Sequence, residues 1–215
     1  MSYRPTEKTE ARKKSQHSLL LTSALSLVAI GGFQSLTIAA VAEEADVATG
    51  TVYKYFDSKA TLCAEVFRLG TEKEVYQVQC AAFPETGSSE TASSKANKNC
   101  KQRLADAIAI FAERAIAGHR LAYALIAEPV DPMVEIERLI YRQSYADIFE
   151  TLIAEGIEKG EFYIQDARVS AAAIVGALAE TLVGPVRPNT PSSTKTKPLA
   201  LIKSIQNFCL RAVIA

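Results

Sequence analysis

Between residues 37 and 59 the sequence TIAAVAEEADVATGTVYKYFDSK gathers side chains that could hydrogen-bond to a polyanion or approach it without bulk. Thr37, Thr49, Thr51, Tyr53 and Tyr55 bring hydroxyls, Lys54 and Lys59 bring ammonium groups, and Ala39 and Gly50 leave room. Hydroxyls and ammonium groups suit phosphate oxygens, and small residues permit contact with base edges or a thymine methyl. Catalytic chemistry finds less support. His17 and His119 are the only histidines and lie far apart, no E-x-x-H or H-E-x-x-H spacing offers a metal site, and neither a glycine-rich phosphate loop nor a G-x-S-x-G elbow occurs. No enzyme, metal or cofactor is expected.

Such side chains need a frame. Ile38, Val41, Ala42 and Ala45 recur at spacings of three and four, which places them on one face of a helix, and Thr37 stands ready as its N-cap. Asp46 falls where the chain must turn, and Asp tolerates the positive φ that such a turn demands. A second short helix follows from about Ala48, with Val47, Val52 and Phe56 inward. Its outward face carries no carboxylate. This is a helix-turn-helix, whose second helix fits a major groove. Thr49, Gly50 and Tyr53 are the candidates for base contact, with Ala39 against a thymine methyl. Thr37, Thr51, Lys54, Tyr55 and Lys59 are the candidates for phosphate, the last following Ser58, a cap for the next helix. For Phe56 a plain core role is the better reading.

Gly32-Phe33, Thr37, Val47 through Phe56 and Ser58-Lys59 resemble the N-terminal signature of the tetracycline-repressor (TetR/AcrR) family of transcriptional regulators. Two departures stand out: Asp46 replaces a turn glycine, and Ala48 replaces the serine or threonine that caps the recognition helix. A missing cap costs roughly 0.5 to 2 kcal/mol, so a more easily frayed recognition helix is expected. The resemblance implies an all-α fold: a three-helix head over residues 1–60, of which 1–15 form a flexible basic arm, and a helical ligand-binding and dimerisation domain over 61–215. It also implies a ligand-responsive regulator, a repressor more than an activator, which occupies a near-palindromic operator as a dimer and is released by a small-molecule inducer.

Composition sets bounds on this. Formal net charge is zero, so DNA binding must come from a local patch. Cys63, Cys80, Cys100 and Cys209 are scattered without a C-x-x-C pair and read as reduced cytoplasmic thiols, with redox sensing by one of them the other option. Arg12 to Lys14 ahead of the apolar run Leu19 to Ile30, with Ala40-Val41-Ala42 behind, imitates a secretory signal peptide. The alternative is therefore an exported all-helical interaction protein with residues 1–42 as its signal. Against it, the run is short for a membrane span, Leu21, Ala24, Leu25 and Val28 trace an amphipathic stripe, and cleavage would fall inside the helix-turn-helix. Arg4 to Lys14 is read as a solvated tail, with minor-groove or phosphate contact by Arg12 to Lys14 as the other option.

The rest of the chain shows helical patterning without strand-like alternation. A helix runs from Ser58 toward Phe83, Pro84 ends it, and a serine-rich loop follows. Helices resume at Lys101 to Gly118, from Leu121 to the Glu128-Pro129 break, and from Asp131-Pro132 to Gly160. Asp166 caps a helix that is apolar on two sides, and Pro198 to Ile214 repeats the pattern. In the resembled family two such helices, here about 166–184 and 198–214, pair with their counterparts into a homodimer, which lets two heads read two half-sites. The resemblance also places an effector chamber among the middle helices. Phe111, Tyr123, Tyr141, Tyr145 and Phe149 could line it, and His119 and Arg142 could meet a polar or anionic group; plain core is the alternative for each.

Overall fold

The computed structural model describes residues 7–84, 98–188 and 197–214. Over these residues the protein is helical without strands. The helices are α1 (Glu7–Ser35), α2 (Ile38–Glu44), α3 (Thr49–Val52), α4 (Lys59–Ala82), α5 (Cys100–Ala117), α6 (His119–Ile126), α7 (Pro132–Glu158), α8 (Ala167–Val186) and α9 (Pro198–Arg211).

Local chemistry sets most of their starts. The Thr37 hydroxyl accepts from the Ala40 amide at the head of α2, and Ser58 accepts from Thr61 at the head of α4. Asn99 and Gln102 form a reciprocal capping box on α5. Asp131 caps α7 with Pro132 in its first turn, and Asp166 caps α8. The serine-rich loop and the linker after α8 lie largely outside the described residues.

One expectation changes. The basic arm is not loose over residues 7–15: these continue α1 as helix, because nothing in EKTEARKKS breaks a helix. Residues 1–6 of that arm lie outside the described residues. Nor is α1 a leader. Leu20, Ala24 and Val28 are fully buried in the head, and Ala40 to Ala42 sit within α2. By length and composition α1 and α8 could each cross a membrane, but α1 spends its apolar face on the head core and α8 spends one of its faces on the body core.

There are two cores. The head core joins Leu20, Val28, Phe33, Leu36, Val41, Val52 and Phe56, and continues past residue 60 through Leu62, Val66 and Phe67 of α4. It also takes in Ala124 and Leu125 of α6 and Val134 of α7. The body core is built from α5, α7, α8 and α9, with Leu104, Ile108, Phe149, Leu152 and Leu178 fully enclosed. Gly70 lets α1 and α6 close on α4, since a Cβ there would stand 3.2 Å from Leu25 and 3.6 Å from Leu125. The head thus rests on elements of the body.

Candidate DNA-reading surface and effector chamber

At the turn between α2 and α3, Asp46 takes φ 51°, the only non-glycine residue with positive φ among the described residues. Val47 then donates to the Ala42 carbonyl at 2.9 Å, closing the helix-turn-helix. α3 is a single turn, and Ala48 gives it no side-chain cap, as its replacement of a capping residue predicts. Val52 and Phe56 are buried beneath it.

The opposite side is open. Thr37, Ala39, Thr49, Gly50, Tyr53, Lys54 and Lys59 are exposed, Tyr53 to 57%, while Thr51 and Tyr55 are half-buried. Seven of the nine residues in the sequence-derived DNA set are therefore open to solvent. Gly50 is informative. A Cβ built there would meet nothing within 4 Å, and its φ is not positive, so nothing inside the fold requires glycine. His17 of α1 braces the far end of the motif. Its Nε2 lies 3.0 Å from Glu65, its ring stacks on Phe56 at 5.0 Å, and Tyr55 is 6.1 Å away.

Between α4, α5, α6, α7 and α8 lies an apolar cavity of about 120 Å³. Phe111, Tyr141, Arg142 and Tyr145 line it, as the sequence suggests. His119, Tyr123 and Phe149 do not. His119 opens α6 toward solvent, Tyr123 packs at the edge of the body core, and Phe149 is wholly enclosed one turn beyond Tyr145. Helical spacing identifies a shared face but not the depth at which that face stops being cavity and becomes core.

The sequence reading missed the other walls. α4 contributes Phe67, Thr71, Glu74 and Val78, at spacings of four, three and four that could have marked the face. α6 contributes Leu121, Ala122, Leu125 and Ile126, and α8 contributes Val175 and Ala179. Glu74 and Arg114 face each other across the wall in a bidentate pair, with the second bond at 2.8 Å. Burial pushes the Tyr145 phenol well above its ordinary value, with Glu74 adding to the effect. Arg142 lies on the lining without a carboxylate partner among the described residues.

Cavity and head meet at α6. Arg138, itself on the lining, donates to the Leu125 carbonyl at 3.0 Å and to the Glu128 carbonyl at 2.7 Å, and binds Glu135 at 2.6 Å. A guanidinium there satisfies carbonyls that the end of α6 leaves open. Its burial lowers its proton affinity below the guanidinium norm, partly offset by Glu135. The Glu128 carboxylate, only 5% exposed, accepts from the Phe33 amide at 3.0 Å and the Gln34 amide at 3.1 Å. These amides follow Gly32, whose φ of 74° kinks α1, and a Cβ at Gly32 would fall 2.5 Å from that carboxylate. Arg120 adds a 2.6 Å bond to the Ile30 carbonyl. α6 is therefore fastened to α1 at both ends.

The cysteines are free. Burial pushes the Cys63, Cys100 and Cys209 thiols up to about 11, which makes them unreactive; Cys80 is exposed. Among the described residues no cluster of His, Cys, Asp or Glu could hold a metal ion.

Residues 20–66 match the family model of the bacterial regulatory proteins of the tetR family. Along 174 residues the chain is 24% identical to the fatty acid metabolism regulator protein of Bacillus subtilis, covering 80% of this chain and 84% of that one. A 50-residue stretch is 44% identical to the HTH-type transcriptional repressor KstR of Rhodococcus jostii, about a quarter of each chain. In fold, the FadR regulator of Bacillus subtilis, solved in complex with stearoyl-CoA, superposes with a TM-score of 0.72 at 20% identity, over 91% of this chain and 98% of that one. FadR of Bacillus halodurans gives 0.71 at 21%, over 91% and 94%. These relatives are regulators rather than enzymes. With the family match seated on the helix-turn-helix and the fold shared along nine-tenths of the chain, this protein is a transcriptional regulator whose DNA-binding domain, residues 20–66, is of the TetR-family type.

Proposed function

We propose that the protein acts in the cytoplasm as a homodimeric repressor that holds a near-palindromic operator and leaves it when an amphipathic effector enters the body cavity. The observation that carries this reading is the double tie between α6, a wall of the cavity, and α1, the brace of the head. Thr49, Gly50, Tyr53 and Ala39 face bases; Thr37, Thr51, Lys54, Tyr55 and Lys59 face phosphates. Exposure of all but the half-buried Thr51 and Tyr55 supports this assignment.

Dimerisation through α8 and α9 is supported by the outer face of α8. Val169, Ala172, Ala173, Gly176 and Gly184 are exposed there, and neither glycine has an internal neighbour that would exclude a Cβ. A mid-helix glycine costs about 1 kcal/mol against alanine, a cost best explained by another helix approaching closely.

The effector is an acyl chain with an anionic or polar head. The apolar walls suit the chain, and unpaired Arg142 suits the head; the relative solved with stearoyl-CoA fits the same class. Ligand sites for drug-sized molecules occupy roughly 300 to 1,000 Å³, far above the volume seen here, so such a ligand requires its walls to move. A ligand that favours the widened body favours displacement of α6, and with it α1. Selecting bound fragments from random DNA should enrich an inverted repeat, and a long-chain acyl-CoA should then release the protein from it. Enrichment of no sequence removes the DNA reading; enrichment without release by acyl-CoA or free fatty acid removes only the effector class.

A further inference from the structure

α1 starts well outside the head that it braces. From Lys8 to Ser15 every residue except Thr9 is exposed, and the first fully buried residue of the helix is Leu20. Lys8, Arg12, Lys13 and Lys14 stand in this projecting segment against one carboxylate, Glu10. Among the described residues none of the four cations has an ion-pair or hydrogen-bond partner.

The segment leaves the head beside the DNA-reading surface. His17 touches Phe56 and lies near Tyr55. Lys13 precedes His17 by four residues, which puts it on the same face about 6 Å further out. Tyr55, His17 and Lys13 thus form a continuous row.

Charge gives this row a purpose. The helix-turn-helix stretch 37–59 holds four carboxylates, Glu43, Glu44, Asp46 and Asp57, against two lysines, Lys54 and Lys59. Affinity for duplex DNA rests on cations that replace condensed counterions, and this stretch is short of them. Including the projecting segment, residues 8–59 carry six cations against five carboxylates, and the four added cations sit at one end.

We propose that the first turns of α1 form a basic spur that lies along the phosphate backbone beside the half-site, outside the reach of the helix-turn-helix. The inference rests on the operator-binding reading. A duplex is the occupant that the residues fit: the cations surround the helix, and Ala11 is the segment's only apolar residue, so it offers no stripe to a lipid surface or a partner helix. The contact is to phosphate and independent of base sequence.

The test compares the full-length protein with the Lys8→Gln, Arg12→Gln, Lys13→Gln, Lys14→Gln variant on the selected operator and on a scrambled duplex, over a range of salt. Each phosphate contact contributes about 0.9 to the slope of log K against log salt. With a spur on each protomer, the slope should shrink by about two to four, and affinity near 0.15 M salt should fall about 10- to 100-fold on both duplexes. Thermal unfolding should not move, because the replaced side chains are exposed. A Lys13→Arg, Lys14→Arg variant should keep the wild-type slope, separating charge from any effect on folding. An unchanged slope, or lost affinity with the slope retained, overturns the spur while leaving the regulator reading intact. If the wild-type protein enriches no DNA at all, both readings fall together.

Discussion

The head and the body each expose small residues that the fold does not use, on very different helices. On α3, a single turn, a Cβ at Gly50 would meet nothing within 4 Å; on α8, 20 residues long, the same holds at Gly176 and Gly184. The glycines at the joints contrast with both. A Cβ at Gly32 would strike Glu128, and one at Gly156 would come within 2.2 Å of the Phe162 ring. Glycine at a joint is explained inside the chain, whereas glycine on a free face points to something outside it. The short face suits a groove, and the long flat one suits another helix.

The largest effect should come from filling the long face. Gly176→Arg should turn the dimer into a monomer and weaken operator binding by about 100-fold or more, since one half-site is then read alone. Light scattering that still shows a fully active dimer would move the interface elsewhere.

Breaking the joint comes next. Glu128→Ala leaves the buried Phe33 amide without its acceptor, at about 1 to 3 kcal/mol, and the Gln34 amide to solvent, and should lower stability in denaturant titration while uncoupling effector from DNA release. Normal release by a stable variant would remove Glu128 from the coupling route.

Gly50→Ala should separate the two kinds of glycine most cleanly. Folding should be unaffected or improved by up to about 1 kcal/mol, while operator affinity falls about tenfold. Equal losses at Gly50→Ala and Gly184→Ala in DNA binding, with the dimer intact, would erase the distinction between the two faces.

The smallest effect is one of pH. Arg103, with Lys159 assisting, holds the Glu155 carboxyl at about 2, below its ordinary 4.5. A depressed carboxyl contributes stability that is present above its unfolded value and is lost as pH falls from about 4.5 through 2. Arg103→Gln should therefore destabilise the body at neutral pH but make little difference near pH 2. A constant difference across that range would show that the Arg103 bond to the Ala82 carbonyl, at 2.6 Å, matters more than the ion pair.

The helix-turn-helix was legible because its residues are neighbours along the chain. Thr37, Asp46, Ser58 and the hydroxyl-rich turn between them act through caps, a turn and one helical face, all local physics. The cavity was only partly legible. Phe111, Tyr141, Arg142 and Tyr145 line it, but Phe67, Arg114 and Leu125 come from elements whose mutual approach no local pattern encodes. Phe149 and Tyr145 share a face in sequence yet differ in depth: Phe149 is fully buried in the body core, while Tyr145, one turn earlier, packs against Phe111 on the cavity wall.

By itself, the sequence determined most of the helices and which short stretch forms the helix-turn-helix, because capping, periodicity and turn chemistry act over a few residues. Only the tertiary structure decided that α6 serves as both cavity wall and anchor of the head, and that a buried carboxylate at Glu128 joins it to α1. Those outcomes depend on contacts across 90 or more positions, such as Glu128 to Phe33 and Arg120 to Ile30. Packing chooses among helix arrangements that local preferences leave equivalent.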